Sequence, residues 1–409
     1  MSLVGVLVLI TQILGGLLLL TIIVVVHELG HYFMARKNGI EVEEFGIGFP
    51  PTAYKRKLKN GVIFSLNWLP IGGFCRVKGE NSADKRKGTY GASSFKGKTQ
   101  FLLGGIAFNL IFASIVFAVL SLFGIPRLVP NQFNVPIDNH EVLGPVEVSY
   151  VIEDSVADHN GIRVGDRLIS LDDTPITRSS EFPALTAAHQ GETVNLVLER
   201  FEQCFVDSDG GTPVTICTPL SEPDTITKTL TLGDGTGGRG FLGVSTFGEE
   251  SNRATWSAPI VGIGVTAQLT FETFRGLGTM LGNLFSGLID NIQGLFGAGS
   301  GNGRARIAAA GDGLAGPIGI IGILFPNAFV SGPTVVLLLV GVISLSLAVM
   351  NILPIPALDG GRWLMVLYTK ITKKEISKEV EEKIIVRGFM VLLGLIALTV
   401  FLDIWRLAT

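Results

Sequence analysis

The chain has 409 residues, 47 % hydrophobic and only 16 % charged, with a mean hydropathy of +0.48, which excludes an ordinary soluble cytosolic enzyme. Its 32 basic and 35 acidic side chains leave a net charge of −3, so no global basic field argues for a nucleic-acid partner. Three cysteines exclude a disulfide-rich scaffold and any four-thiolate metal site.

In chain order, the first segment is residues 1–37. Its apolar run over 3–26 exceeds the ~20 helical residues that a hydrocarbon core of ~30 Å requires. It lacks the basic flank and small-residue cleavage site of a signal peptide, so it reads as a retained span. The run passes without a break into His27-Glu28-Leu29-Gly30-His31. In a helix, residues four apart share a face, so both imidazoles can reach one metal ion with Glu28 beside it, the arrangement of a zinc hydrolase. Ionisable groups at membrane depth are costly unless paired or metallated, which makes the cluster a functional candidate.

Residues 38–100 are predicted to form a membrane-associated β-loop region on the cytoplasmic side, because 36–98 carries 13 Lys/Arg against 5 Asp/Glu. Within it, the β-like segments 62–67 and 73–77 are expected to form a hairpin. Gly73 and Phe74 on its edge are candidate substrate contacts by strand addition; a basic hairpin resting on anionic lipid is the alternative. A second span follows over 101–126.

From 125 to 333 the balance turns acidic, with 11 Lys/Arg against 23 Asp/Glu, which agrees with an extracytoplasmic insert. Residues 138–247 read as a folded domain: Val146, Val148 and Tyr150, then Leu168, Ile169 and Leu171, suggest strands, and Gly161, Gly165 and Gly191 suggest turns. The run from Gly161 to Ile169, with Gly165-Asp166 at its centre, resembles the signature of PDZ domains, which implies peptide capture or substrate gating. Cys204 and Cys217 flank the turn signal Asp207-Ser208-Asp209-Gly210-Gly211 and are candidates for a bridge across a hairpin, or for two buried thiols. Cys75 is expected to be a small apolar residue.

Residues 254–330 are expected to hold an amphipathic helix at the membrane surface from Phe274, on the spacing of Leu277, Leu281, Leu284, Leu288, Ile292 and Leu295. A Gly-rich linker follows over 297–313, then a short interfacial or re-entrant segment over 314–325. The third span, within 334–361, runs to about residue 353 and ends in Asn351-Ile352-Leu353-Pro354-Ile355-Pro356-Ala357-Leu358-Asp359-Gly360-Gly361. The fourth lies in 384–405. The intervening stretch 362–387, with 7 Lys/Arg against 4 Glu, again reads as cytoplasmic, so both termini fall outside.

A catalytic zinc needs a third protein ligand and one open position. The residues after His31 lack the metzincin third histidine, and Glu41, Glu43 and Glu44 lie beyond the helix. Asp359 is the better candidate, because the prolines end the third helix and the opposite chain direction returns a carboxylate to the depth of His31. An ordinary Pro-rich helix end is the alternative.

Taken together, HELGH, the N-x-x-P-x-P-x-L-D-G-G run, the PDZ-like insert, Gly46-Ile47-Gly48-Phe49-Pro50-Pro51 and Gly105-Ile106-Ala107-Phe108-Asn109 resemble the site-2 protease family of intramembrane zinc metalloproteases, of the bacterial regulator-of-sigma-E protease type. The resemblance implies an α-helical polytopic membrane protein with about four spans, an inserted α/β PDZ-like domain and a β-loop, in a bacterial inner membrane. It implies that His27, His31 and Asp359 hold Zn2+, that Glu28 moves a proton, and that Asn351 and Pro354 handle substrate. The alternative for Asn351 is an amide that simply satisfies the freed backbone near Pro354; Asn109 has the same two readings, and the packing one is favoured. The implied substrates are single-pass membrane proteins, such as anti-sigma factors or signal-peptide remnants, with membrane lipid as the surroundings. The rival is a non-catalytic membrane scaffold whose PDZ-like domain captures extracytoplasmic C-termini. A zinc transporter is disfavoured by a single histidine cluster.

Overall fold

The computed structural model describes residues 3–79, 84–207, 214–235, 240–295 and 319–408. The chain divides into two units, one made of residues 1–125, 131–138 and 254–409, the other of 126–130 and 139–253.

The first unit is mainly helical. Helix α1, Leu3–Lys37, carries the apolar run and HELGH as one element, and α2, Phe95–Phe123, is capped by Ser94, whose hydroxyl accepts the Gly97 N–H at 3.1 Å. Among the described residues, three helices are long and apolar enough to cross a membrane: Val4–Lys37, Phe95–Phe123 and Pro333–Ile352. Their outward residues, among them Leu14, Leu18, Ile111 and Ile115, are exposed, as lipid-facing side chains are. The fourth expected span lies in the long helix Lys378–Ala408, part of whose side chains fall outside the described residues.

Between α1 and α2 run two strands, β1 (Val42–Lys57) and β2 (Ile63–Val77). The expected hairpin of 62–67 with 73–77 does not form. Both segments belong to the single strand β2, and both pair with β1, so that Phe45 is in register with Cys75 and with Phe64. The spacing shows β propensity but not the partner, because the strand that bridges the two segments, Val42–Lys57, lies earlier in the chain and breaks strict alternation at Gly46 and Gly48.

The inserted unit is sheet-rich. Its strands β3 (His140–Val151), β4 (Arg167–Leu171), β5 (Thr193–Asp207), β6 (Val214–Thr231) and β7 (Val244–Arg253) lie in the order β7-β3-β4-β5-β6, each pair antiparallel. Two short helices, α3 (Val156–His159) and α4 (Phe182–Ala188), accompany them. Val146, Val148, Leu168, Leu171, Val194, Leu196, Leu198 and Phe182 form its core. The Gly161-to-Asp166 loop has a physical explanation. Gly161 and Gly165 take φ of +69° and +90°, which side chains adopt at a cost. The buried Asp166 ties the loop down by accepting from the Arg163 N–H at 2.8 Å and from Arg200 at 2.7 Å. The backbone register pairs Cys204 with Cys217; their side chains lie outside the described residues.

Returning to the helical unit, α5 spans Ala258–Leu295. It therefore begins sixteen residues before the expected Phe274, and its first half is not a surface helix. Gly262 sits against the Ser114 and Ala118 backbone of α2, Val261 and Val265 are buried, and Thr266 meets Ser114 at 3.1 Å. Helix–helix contact through small residues leaves no wide apolar stripe, so period counting finds only the distal half. Asp138 anchors the start of α5 by accepting from the N–H and hydroxyl groups of Thr255 and Ser257 at 2.6–2.9 Å. Burial works to raise its carboxyl, but these bonds hold it well below the usual carboxylate range.

The expected linker 297–313 lies outside the described residues. So does the start of the short apolar segment, whose described remainder is a π-turn, Ile320–Leu324, leading into α6, Phe325–Ser331. Phe325 is buried against Gly16 of α1. Helix α7 (Pro333–Ile352) then ends at the prolines, and α8 (Asp359–Thr372) and α9 (Lys378–Ala408) complete the unit.

Candidate active site

The last three turns of α1, the middle of α2 and the first residue of α8 meet at one point. His27 and His31 lie one turn apart on the face of α1 that packs against α2, and each is only 6 % exposed. That packing is unusually close. A Cβ on Gly30 would stand 2.3 Å from the Gly104 carbonyl oxygen, and one on Gly104 would stand 2.7 Å from that of Gly30. Small residues at such a crossing let two helix backbones touch.

Asp359 arrives from the far end of the chain. Pro354 and Pro356 prevent α7 from continuing, and α8 starts at once with Asp359-Gly360-Gly361. The two glycines are required sterically: a Cβ on Gly360 would lie 2.1 Å from the Ile352 carbonyl, and one on Gly361 would lie 2.1 Å from that of Ile355. The folded-back segment thereby delivers the Asp359 carboxylate to the histidine pair.

The resulting donor set is an almost equilateral triangle. His27 Nε2 and His31 Nε2 are 3.1 Å apart, and each is 3.2 Å from Asp359 Oδ2. These three residues form the cluster of potential metal ligands found among the described residues. Tetrahedral zinc with bonds of ~2.0–2.1 Å requires ligand atoms ~3.3 Å apart, so the set fits that ion closely. The second ring nitrogens support the same assignment. His31 Nδ1 donates to the Phe101 carbonyl at 2.9 Å, which leaves Nε2 with its lone pair turned to the triangle.

His27 Nδ1 faces the Asn109 amide at 3.4 Å, with the amide nitrogen towards the ring. Asn109 is fully buried, and its oxygen Oδ1 has no hydrogen-bond partner. Rotating the amide by 180°, which exchanges two groups of nearly equal size, lets Oδ1 accept from Nδ1–H. Asn109 therefore sits behind His27, next to the site, as a fully buried amide. Gly105 completes the cradle: a Cβ there would stand 2.6 Å from His31 Nε2 and 2.7 Å from His27 Nε2. Helix proximity between distant segments carries no local signal, which is why neither role could be read from spacing.

Glu28 follows His27 on α1, within electrostatic reach of His27, His31 and Asp359, and its carboxylate accepts a hydrogen bond from the Cys75 backbone. Gly73 borders it, since a Cβ on that glycine would be 3.4 Å from Glu28 Cγ. Phe74 points elsewhere and lies over Gly46 in the sheet. Asn351 Nδ2 donates to the Leu347 carbonyl within α7 at 2.9 Å, and Pro354 lies in the turn between α7 and α8.

Comparison with known proteins places this arrangement in context. The pattern of "Peptidase family M50" matches residues 15–395. A protein of Helicobacter pylori strain J99 named "Putative zinc metalloprotease" is 27 % identical over 399 residues, covering 96 % of this chain and 99 % of its own. Similarly named proteins of Clostridium perfringens and Agrobacterium fabrum are 27 % and 26 % identical, over 95 % of this chain in each case and 97 % and 94 % of their own.

Proposed function

We propose, from the premise that this chain belongs to peptidase family M50 and is a zinc-dependent metallopeptidase of the membrane, that it cleaves peptide bonds within or beside the membrane-spanning segments of single-pass proteins. The single observation that carries the assignment of roles is the triangle of His27, His31 and Asp359, set in the last turns of a helix apolar enough to span a bilayer.

In this reading His27, His31 and Asp359 hold the ion. Zinc bound there supplies Lewis acidity, which polarises a peptide carbonyl and acidifies water. Glu28 takes the proton from the attacking water on its carboxylate and passes it to the departing amine nitrogen. The hydrogen bond from the Cys75 backbone orients that carboxylate. Asn109 holds His27 in the tautomer that presents Nε2. Gly73 brings β2 against Glu28, and the segment 73–77 receives an extended substrate backbone by strand addition. A helical substrate must unwind to expose its carbonyls, and Asn351 and Pro354, at the broken end of α7, stand where its freed backbone would be met.

The surrounding architecture follows the same reading. The helix Lys378–Ala408 is a fourth span, the β1–β2 region and the 362–387 stretch face the cytoplasm of a bacterial inner membrane, and the sheet-rich unit is an extracytoplasmic PDZ-like domain that limits access to shortened substrates. The Gly161-to-Asp166 loop, pinned by Asp166, is the feature that supports the PDZ likeness. The test is cleavage of a tethered helical substrate in liposomes by the wild type and by Glu28→Gln, with zinc measured on both. Activity lost with zinc retained supports the assignment; undiminished cleavage by the variant overturns it.

A further inference from the structure

A second cluster of charge lies away from the metal centre, around a cavity of about 390 Å³ whose lining includes Lys85, Ser93, Lys98, Lys370, Lys373 and Glu375. Four lysines thus meet one carboxylate, and that carboxylate already pairs with Lys85 at 3.1 Å. Lys98 is the decisive member. It sits in the first turn of α2 and is only 9 % exposed, and its ammonium lies 5.3 Å from the centre of the Tyr90 ring. The Lys370 ammonium is 5.8 Å from the Phe95 ring. Glu375 and Glu381 act on Lys98 electrostatically, yet among the described residues no ion pair to its ammonium forms. An aromatic face attracts a cation without neutralising it, so a buried ammonium held this way retains a strong demand for an anion.

The position of the cavity restricts what that anion is. Lys98 is three residues inside a helix apolar enough to span a bilayer, about 5 Å from its end, where lipid headgroups lie. Phe95, Val366 and Ile376 add an apolar wall. Lysines recognise phosphate as point charges, and basic clusters at the end of a span attract anionic lipid. Lys370 is eleven residues along α8 from Asp359, about 16 Å, so the cavity is a separate place from the metal centre.

We propose that this cavity binds the phosphate of an anionic phospholipid headgroup. The proposal rests on the membrane placement of α2 but is independent of the peptidase roles assigned above. The test is lipid binding to the full-length zinc-loaded protein in neutral detergent, read by native mass spectrometry against added phosphatidylglycerol, phosphatidylcholine and inorganic phosphate. Phosphatidylglycerol is expected to bind and to resist displacement by millimolar phosphate, phosphatidylcholine is expected not to bind, and Lys98→Gln and Lys370→Gln are each expected to weaken binding about tenfold, with Lys98→Arg close to wild type. Should Lys98→Gln fail to fold, the exposed Lys370 and Lys373 carry the test through their Gln variants. Equal binding of phosphatidylcholine, binding unchanged in the lysine variants, or capture of inorganic phosphate with no lipid would overturn the proposal. Zinc content measured on the same samples separates its failure from failure of the metal assignment.

Discussion

Glycine serves opposite purposes in the two units. In the helical unit Gly30, Gly104 and Gly105 are there for what they lack: a Cβ at any of them collides with a backbone or an imidazole at 2.3–2.7 Å. In the sheet-rich unit Gly161 and Gly165 are there for the conformation they adopt, at φ of +69° and +90° with open space around the missing Cβ. The first kind builds the site by letting helices touch, whereas the second only shapes a loop. Loss of either is damaging, but the damage is read by different instruments, bound metal in one case and local stability in the other.

The largest effects are expected inside the helical unit. Glu28→Gln is expected to lower peptidase turnover by about 10²–10⁴, the usual contribution of a positioned acid–base group, while bound zinc stays at wild-type stoichiometry; a liposome cleavage assay with metal analysis checks both. Gly105→Ala is expected to displace the imidazoles and remove the zinc along with the activity, and retention of full zinc would break the account of glycine as a cradle. Asn109→Leu, which keeps the volume and loses the acceptor, is expected to weaken zinc about 10–100-fold in a chelator competition. Asn109→Asp should restore most of that affinity, which a purely structural role would not require.

The smallest effect belongs to the other unit. Gly161→Ala forces a side chain into the left-handed region at a cost of ~1–2 kcal/mol, expected as increased proteolysis or hydrogen exchange of the sheet-rich unit with zinc affinity unchanged. A loss of zinc in that variant would erase the contrast between the two regions.

The same contrast explains how much was legible in the sequence. His27, Glu28 and His31 stand out because a helix fixes which residues four apart share a face, and Asp359 stands out because Pro354 and Pro356 must end the preceding helix. The length of the apolar runs placed three helices apolar enough to cross a membrane, and alternation placed the strands around Val146 and Leu168. What escaped depends on contacts between distant segments: the partnership of β2 with Val42–Lys57, the early start of α5 at Ala258 against α2, and the approach of Gly105 and Asn109 to the histidines. None of these leaves a period in the local sequence, since packing through Gly262 or Gly104 replaces an apolar stripe with small residues.

The central claim is that His27, His31 and Asp359 together hold one zinc ion. X-ray absorption at the zinc edge on the purified protein tests it most directly: one zinc per chain, surrounded by nitrogen and oxygen at ~2.0–2.1 Å with imidazole back-scattering, and lost in Asp359→Ala, is the expected result. A sulfur shell near ~2.3 Å, or a spectrum and zinc content untouched by Asp359→Ala, would contradict it.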